Sequence, residues 1–320
     1  MSDNIEVLLV GAGPIAVEYA KVLQSLMRPF SVIGRGAKSA DAFAAKTGVT
    51  VFAGSLGEYI ATNGIPSAAI VAVSMDQLAH VTIHLMELGV RNILVEKPAG
   101  LNAAEVRMLD QHAKTYQAKV FVAYNRRFYA SVIKAAEIIK ADGGVRSFHF
   151  EFTEWSHTIE KLKHAPGVLE NWFFANSSHV IDTAFFLGGY PAQLSCFAQG
   201  GLEWHKAAIY SGAGVSTKGA LFSYHANWIA PGRWMIEFMT EKHRLVLKPL
   251  EKLQIQQLGS LTTDFVDIDD TVDTAYKPGY FRQVEAFLGG EDEYLLRLDR
   301  HVENLKFYEM MNQLTSTGRD

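Results

Sequence analysis

The sequence predicts two fold classes in succession: an α/β half with a doubly wound parallel sheet over residues 1–127, then an α+β half with a large, mostly antiparallel open sheet over residues 128–320. Three observations carry this. Short apolar runs alternate with longer helical stretches up to about residue 124, a glycine turn follows the first run, and beyond residue 141 the apolar residues switch to a period of two.

In the first half the strand candidates are IEVLLV (5–10), FSVIG (30–34), VTVFA (49–53), SAAIVAV (67–73), RNILVE (91–96) and KVFVAY (119–124). Near-continuous apolar strands separated by helices imply a parallel sheet covered on both faces, with right-handed crossovers. A linking helix is expected over 129–141. Then VRSFHFEFTEW sets Phe148, Phe150 and Phe152 on one face and His149 and Glu151 on the other, and ALFSYHANW alternates in the same way. That period marks strands with one dry face and one wetter face. Further strands are expected in QLSCFAQ, WMIEFMT, HRLVLKP and KLQIQQL, with closing helices in GYFRQVEAFLGG and over 292–314.

Composition narrows the classes of function. At 320 residues, with 48% apolar and 20% charged residues, the chain suits two ordinary globular domains. The formal charge of −4 comes without a run of like charges, so neither a nucleic-acid stripe nor a basic membrane patch is expected, and the predicted partner is a small molecule. The single cysteine, Cys196, offers no intramolecular disulfide and no cysteine-based zinc site. With an N-terminus that lacks a basic region and a long apolar run, this favours a cytoplasmic protein.

VLLVGAGPIAVEYA places Gly11 and Gly13 after a strand and at the opening of a helix. Such glycines allow a tight turn and close backbone approach, so that a pyrophosphate sits on the helix N-terminus; Pro14 and Ile15 would join that contact, and Ala16 stands at the third small position. After the second strand, where an acid usually receives the ribose of NAD, the chain has Gly34-Arg35-Gly36 with Lys38 and Ser39. A guanidinium there clamps a 2′-phosphate, which favours NADP, with NAD possible. Strand five runs into EKPAG, and Glu96 and Lys97 at the carboxyl end of a parallel strand face the ligand crevice. An ammonium there stabilises the alkoxide formed as hydride leaves a carbinol carbon. Asn102 is expected to cap the next helix, with Glu105 at the capping-box position.

VGAGPIA, IGRGAKSADAFAAKTG, MDQLAHVTIHLMELGVRNILVEKPAG, VAYNRRF and SSHVIDTAFFLGG together resemble the Gfo/Idh/MocA oxidoreductases, sugar and inositol dehydrogenases with an N-terminal Rossmann domain and a C-terminal open sheet. The resemblance covers most of residues 5–190. It implies that Lys97 is the catalytic lysine, that Glu96 helps hold the nicotinamide riboside, and that Ser74 and His80 border the cofactor. Tyr124 and Asn125 would lie on the same rim, Asn125 touching the ligand. At least one of Arg126 and Arg127 is expected to pair with a carboxylate at the domain interface.

Many relatives carry Asp-x-Gly-x-His-x-x-Asp in the second domain. Aligned on His179 and Asp182, this chain has Ala175 and Ser177 in place of the first Asp and the Gly. The match makes His179 the general base, with an imidazole suited to take a hydroxyl proton near neutral pH. Asp182 is expected to be structural, in the first turn of a helix capped by Asn176, Ser177 or Ser178. Trp155, His157, Trp172, Asn171 and Asn176 are candidates to contact substrate, and no metal is expected at His179. The implied activity is hydride transfer between NAD(P) and a secondary hydroxyl or ketone of a sugar, sugar derivative or cyclitol. The rival readings are an NAD-dependent redox-assisted glycosidase and, because of Ala175, a cofactor-binding sensor without turnover. By analogy a homodimer or homotetramer through the C-terminal sheet is expected.

Overall fold

The computed structural model describes residues 7–290 and 293–315. Ile5 and Glu6, expected in the first strand, and the start of the expected last helix at residue 292 lie outside them. Two compact units emerge, one formed by the chain up to Asn125 together with Val272–Glu303, the other by Arg126–Thr271 and the chain from Asn304 onward.

The first unit is a Rossmann sheet. Strands β1 (Val7–Val10), β2 (Phe30–Ile33), β3 (Val51–Phe52), β4 (Ala68–Val71), β5 (Asn92–Glu96) and β6 (Lys119–Ala123) all run parallel, in the order β6-β5-β4-β1-β2-β3. Val7–Val10 and Ala68–Val71 are buried throughout, as strands covered on both faces must be. The order reverses beside β1, and ligands of such sheets bind where that happens, outside the carboxyl ends of the strands. Asn102 caps helix Ala103–Thr115, its Oδ1 accepting from the amides of Ala104 and Glu105. Glu105 accepts from the amide of Leu101 instead of closing a capping box on Asn102.

The second unit carries a mostly antiparallel sheet of eight strands among the described residues: β7 (Ser147–Glu151), β8 (Pro191–Gln199), β9 (Ile209–Ser216), β10 (Leu221–Asn227), β11 (Met235–Met239), β12 (His243–Leu247), β13 (Gln254–Gln257) and β14 (Asp264–Phe265), in the order β14-β13-β12-β11-β7-β10-β9-β8. Only the pair of β7 with β10 is parallel. The period-two reading holds at β7, where Phe148, Phe150 and Phe152 are all buried. Helix Ser178–Gly188 covers this face: Phe185 meets Phe148 and Phe150 edge-on at 6.3 and 5.4 Å. Strand β9 escapes the sequence pattern because it holds Gly212 and Gly214. A Cβ on the first would meet the Tyr224 ring at 2.4 Å, and on the second the Phe222 ring at 2.7 Å, so the glycines make room for rings of β10.

The boundary expected from the sequence, with everything after residue 127 in one domain, differs from these units in two respects: Arg126 and Arg127 already belong to the second unit, and a later segment leaves it. Val272–Glu303 returns to the first unit. Strand β15 (Leu296–Arg297) pairs antiparallel with β6, and helix Tyr280–Gly289 brings Tyr280 against Tyr19 at 4.7 Å between ring centroids. A two-residue strand has too little pattern to be read, and an amphipathic helix does not reveal which sheet it will cover.

Candidate active site

At the carboxyl ends of β1, β2 and β4 lies a cavity of about 730 Å³. Its lining includes Gly11, Gly13, Pro14 and Ile15, then Arg35 and Ser39, then Ser74 and His80. The turn is built for close approach. Gly11 has φ of 122°, and a Cβ on it would stand 2.3 Å from the Ala72 carbonyl oxygen, whereas a Cβ on Gly13 would meet nothing within 4 Å. Helix Pro14–Ser25 has no side-chain cap, which leaves its first amides for an anion. A dinucleotide fits this set: bare glycine backbone and a helix start for the pyrophosphate, and a guanidinium beyond β2 for the ribose end. Gly36, Ser55 and His84 also line the cavity and were not singled out by the motif. Arg35 donates to Gln77 Oε1 at 3.3 Å, and Gln77 donates to Asp76 at 3.0 Å. Partial burial raises the Asp76 pKa, but hydrogen bonds from Ser74 and Gln77 and the nearby Arg35 charge outweigh it and hold the carboxyl below its usual range.

Glu96 and Lys97 follow from β5, with Glu96 buried and Lys97 half-buried. Glu96 Oε1 accepts from both the Tyr19 and Tyr280 hydroxyls at 2.8 Å. Burial first, then the Glu96 charge, pushes the Tyr19 phenol well above its ordinary pKa, so it stays a donor. The Lys97–Pro98 bond is cis, Ala99 adopts φ of 75°, and the His301 ring lies 3.1 Å from the Pro98 carbonyl oxygen. Tyr124 is buried with its ring beside His301, and the Asn125 side chain donates to the Pro278 carbonyl at 2.9 Å. The segment 272–303 thus braces the turn that presents Lys97.

In the second unit the run Phe173–Ser177 forms a π-helical turn that continues directly into helix Ser178–Gly188. The capped helix start expected here is absent. Asn176 and Ser177 both bond Glu154, and the Ser178 hydroxyl donates back to the Phe174 carbonyl. Asp182 likewise does not serve a helix dipole. It is fully buried and takes two bonds of 2.7 Å from Arg127, which also donates to the Tyr190 hydroxyl at 2.9 Å. Burial alone would weaken the Arg127 charge, and Asp182 and Tyr190 more than offset it, raising its pKa. Arg127 therefore pairs with a carboxylate, one of its own unit and not the interface acid expected.

His179 is 3% exposed, with its ring 6.1 Å from that of Trp234. Arg126 and Arg233 both lie over Trp234, at 4.7 and 4.8 Å, and Arg233 also lies 4.7 Å over Trp155. Trp155 is 47% exposed and donates its indole N–H to the Gly232 carbonyl. His157 is exposed on the short helix Ser156–Ile159. Trp172 packs edge-on against His164 and Trp204 as part of an aromatic cluster, and Asn171 bonds the Gly167 carbonyl. Glu154, Arg233 and Trp234 were missed by motif reading. For Glu154 the alternation gave no signal, since β7 ends at Glu151 and Thr153 is buried as well. Among the described residues no group of three or more His, Cys, Asp or Glu side chains is placed to hold a metal ion, and no helix is long and apolar enough to cross a membrane.

Comparison with known proteins follows the same lines. Residues 5–124 match the Gfo/Idh/MocA model, described as an oxidoreductase family with an NAD-binding Rossmann fold. No protein of curated function matches the sequence. Among solved structures, a UDP-N-acetylglucosamine 3-dehydrogenase from Acidithiobacillus ferrooxidans superposes with a TM-score of 0.74 at 14% identity, covering 96% of each chain. An oxidoreductase from Agrobacterium radiobacter, solved with NAD+, L-tartaric acid and magnesium, gives 0.76 at 12% identity over 99% of this chain and 97% of that one. A dehydrogenase from Chromobacterium violaceum, solved with NADH and UDP-GlcNAcA, gives 0.72 at 16% identity over 97% and 94%. At these identities the likeness to solved structures is one of fold.

Proposed function

Since the chain belongs, through residues 5–124, to the Gfo/Idh/MocA oxidoreductase family with its NAD-binding Rossmann fold, we propose that it transfers hydride between NADP and a secondary hydroxyl or the matching ketone of a sugar, sugar derivative or cyclitol. The observation that carries the reading is the pairing, in one unit, of a glycine-walled cavity with a buttressed Glu96-Lys97 turn on the same sheet. The similar structures solved with UDP-GlcNAcA or named for UDP-N-acetylglucosamine support a sugar derivative as substrate.

Gly11, Gly13, Pro14 and Ile15 would hold the pyrophosphate, Arg35 and Ser39 the 2′-phosphate, and Ser74 and His80 the nicotinamide half. The bound nicotinamide supplies the hydride chemistry. Lys97 places a positive charge against the oxygen as it becomes an alkoxide, and His179 takes the hydroxyl proton. Glu96, held by two phenols, keeps the turn rigid so that Lys97 stays aligned. Arg35 is the basis for NADP over NAD: stripped of a neighbouring acid at the end of β2, that position favours a phosphate.

Lys97→Ala should bind cofactor, read by nucleotide fluorescence, and lose kcat by about a thousandfold or more on whichever member of an aldose, uronate and cyclitol panel is turned over. A kcat close to that of the unaltered enzyme would remove Lys97 from the chemistry. Arg35→Asp should shift the ratio of kcat/KM from NADP toward NAD, and an unchanged ratio would remove the phosphate clamp.

A further inference from the structure

Glu154 is a carboxylate with no place in the reading so far, and the molecule treats it unusually. It lies three residues beyond β7 and is 1% exposed. An ionised carboxylate buried to that depth needs donors at both oxygens. It has them: the Ser177 hydroxyl donates to Oε1 at 2.8 Å, and the Asn176 amide lies 3.1 Å from each oxygen. Both donors sit on the π-helical turn Phe173–Ser177. Such turns depart from α-helical hydrogen bonding and persist where something outside the helix holds them, often at functional sites.

We propose that Glu154 is a positioning carboxylate for His179: it clamps the π turn that aims the imidazole and lends it negative charge when His179 takes a proton. This rests on the reading of His179 as the base. Ala175, at the place where a carboxylate would sit on the turn itself, has no side-chain oxygen, so the acid arrives from the segment after β7 instead.

Two routes connect Glu154 to the imidazole. Asn176 precedes His179 by three residues, the spacing that sets side chains on one helix face. Arg233, whose charge acts on Glu154, stacks on Trp234, and Trp234 packs beside His179. The groups that face the carboxylate are few: Asn176 and Ser177 on the turn, Arg233 before β11, and the Trp172 indole, which lies near without reaching hydrogen-bond geometry. Burial raises the Glu154 pKa, and these neighbours oppose the rise. A carboxyl kept against that cost, bonded to the turn that leads into a candidate base, is typical of tuned sites.

The test is a titration of the histidine side chains by NMR on the full-length protein, with the His179 signal identified by its loss in His179→Asn. Glu154→Gln should lower the His179 pKa by about half a unit or more, and Glu154→Asp, which keeps the charge, should leave it nearly in place. In turnover, Glu154→Gln should lower kcat about tenfold or more with little change in cofactor affinity, and should add nothing further in a His179→Ala background. A His179 titration unmoved by Glu154→Gln, or equal losses in Gln and Asp variants, overturns the proposal. Should His179→Ala retain full kcat while the Glu154→Gln shift appears, the electrostatic coupling stands and the assignment of His179 as base falls.

Discussion

The turn after β5 and the turn before helix Ser178–Gly188 are the two places where this protein presents a candidate catalytic side chain, and they are held in different ways. Around Lys97 the neighbouring Glu96 is itself the anchor, fixed by phenols from Tyr19 and Tyr280, and the backbone closes on itself through the Ala99 amide and the Glu96 carbonyl at 3.0 Å. Around His179 the anchors are acids and bases one step removed: Glu154 on one side of the turn, and Arg127 with Asp182 behind it. One residue is positioned by its neighbour in the chain, the other by partners on distant strands and helices. Glu96 is held by two neutral donors, whereas Arg127 and Asp182 form a buried charge pair that fails when either member is lost.

The most severe way to break the second arrangement is Asp182→Ala. It leaves the Arg127 guanidinium, 3% exposed as a residue, buried without its carboxylate. We expect a loss of about 3–5 kcal/mol in urea unfolding, with the double change Arg127→Met, Asp182→Leu recovering most of it. Recovery by the apolar pair would show that the ion pair orients the helix more than it stabilises it.

On the first turn the corresponding change is milder. Tyr280→Phe removes one of two donors from a buried carboxylate and should cost about 1.5–3 kcal/mol, with kcat falling while cofactor affinity holds. A loss as large as that of Asp182→Ala would erase the contrast between the turns. Smaller still, Asn102→Ala takes the cap from the helix that follows EKPAG, for about 1 kcal/mol in the same unfolding measurement.

Acidity separates the two turns as well. Because burial raises the folded-state pKa of Glu154 above its ordinary value near 4.5, the folded protein binds that proton more tightly than the unfolded chain. Its contribution is complete below that value and is lost as pH rises through the raised pKa. Relative to Glu154→Gln, the unaltered protein should therefore lose urea midpoint as pH rises from about 4.5 through the raised Glu154 pKa, above which the carboxylate is ionised. A constant difference across that range would mean that the donors fully offset the burial.

These contrasts explain what the sequence could and could not reveal. The Gly11–Gly13 turn could be read because a nucleotide turn is a local object, with strand, glycines and helix in one run, and Arg35, Ser74 and His80, from other strands, line the same cavity. The EKPAG turn was readable for the same reason, but its bracing by Tyr280 and His301 was not, since nothing near residue 96 announces partners some two hundred residues on. At His179 the local picture read from the sequence, a capped helix start, was wrong, because Asn176 and Ser177 are cap-forming types already committed to Glu154. Asp182 was read as structural, yet the Arg127 partner that makes it so comes from 55 positions earlier. Glu154 was not legible, because β7 ends at Glu151 and both Thr153 and Glu154 are buried beyond it.

The return of Val272–Glu303 to the first unit bears on the order in which the chain acquires its structure. During synthesis the first six strands emerge early, yet the edge strand Leu296–Arg297 and the Tyr280 hydroxyl arrive only after nearly the whole of the other unit has been made. A nascent chain stopped after residue 127 would carry an exposed flank on β6 and a buried acid short of one donor, both invitations to association with other chains. The later-encoded unit spans 126–271 almost without interruption and can gather its sheet while the earlier one waits. In this protein the portion translated first waits for a segment encoded after nearly all of the other unit.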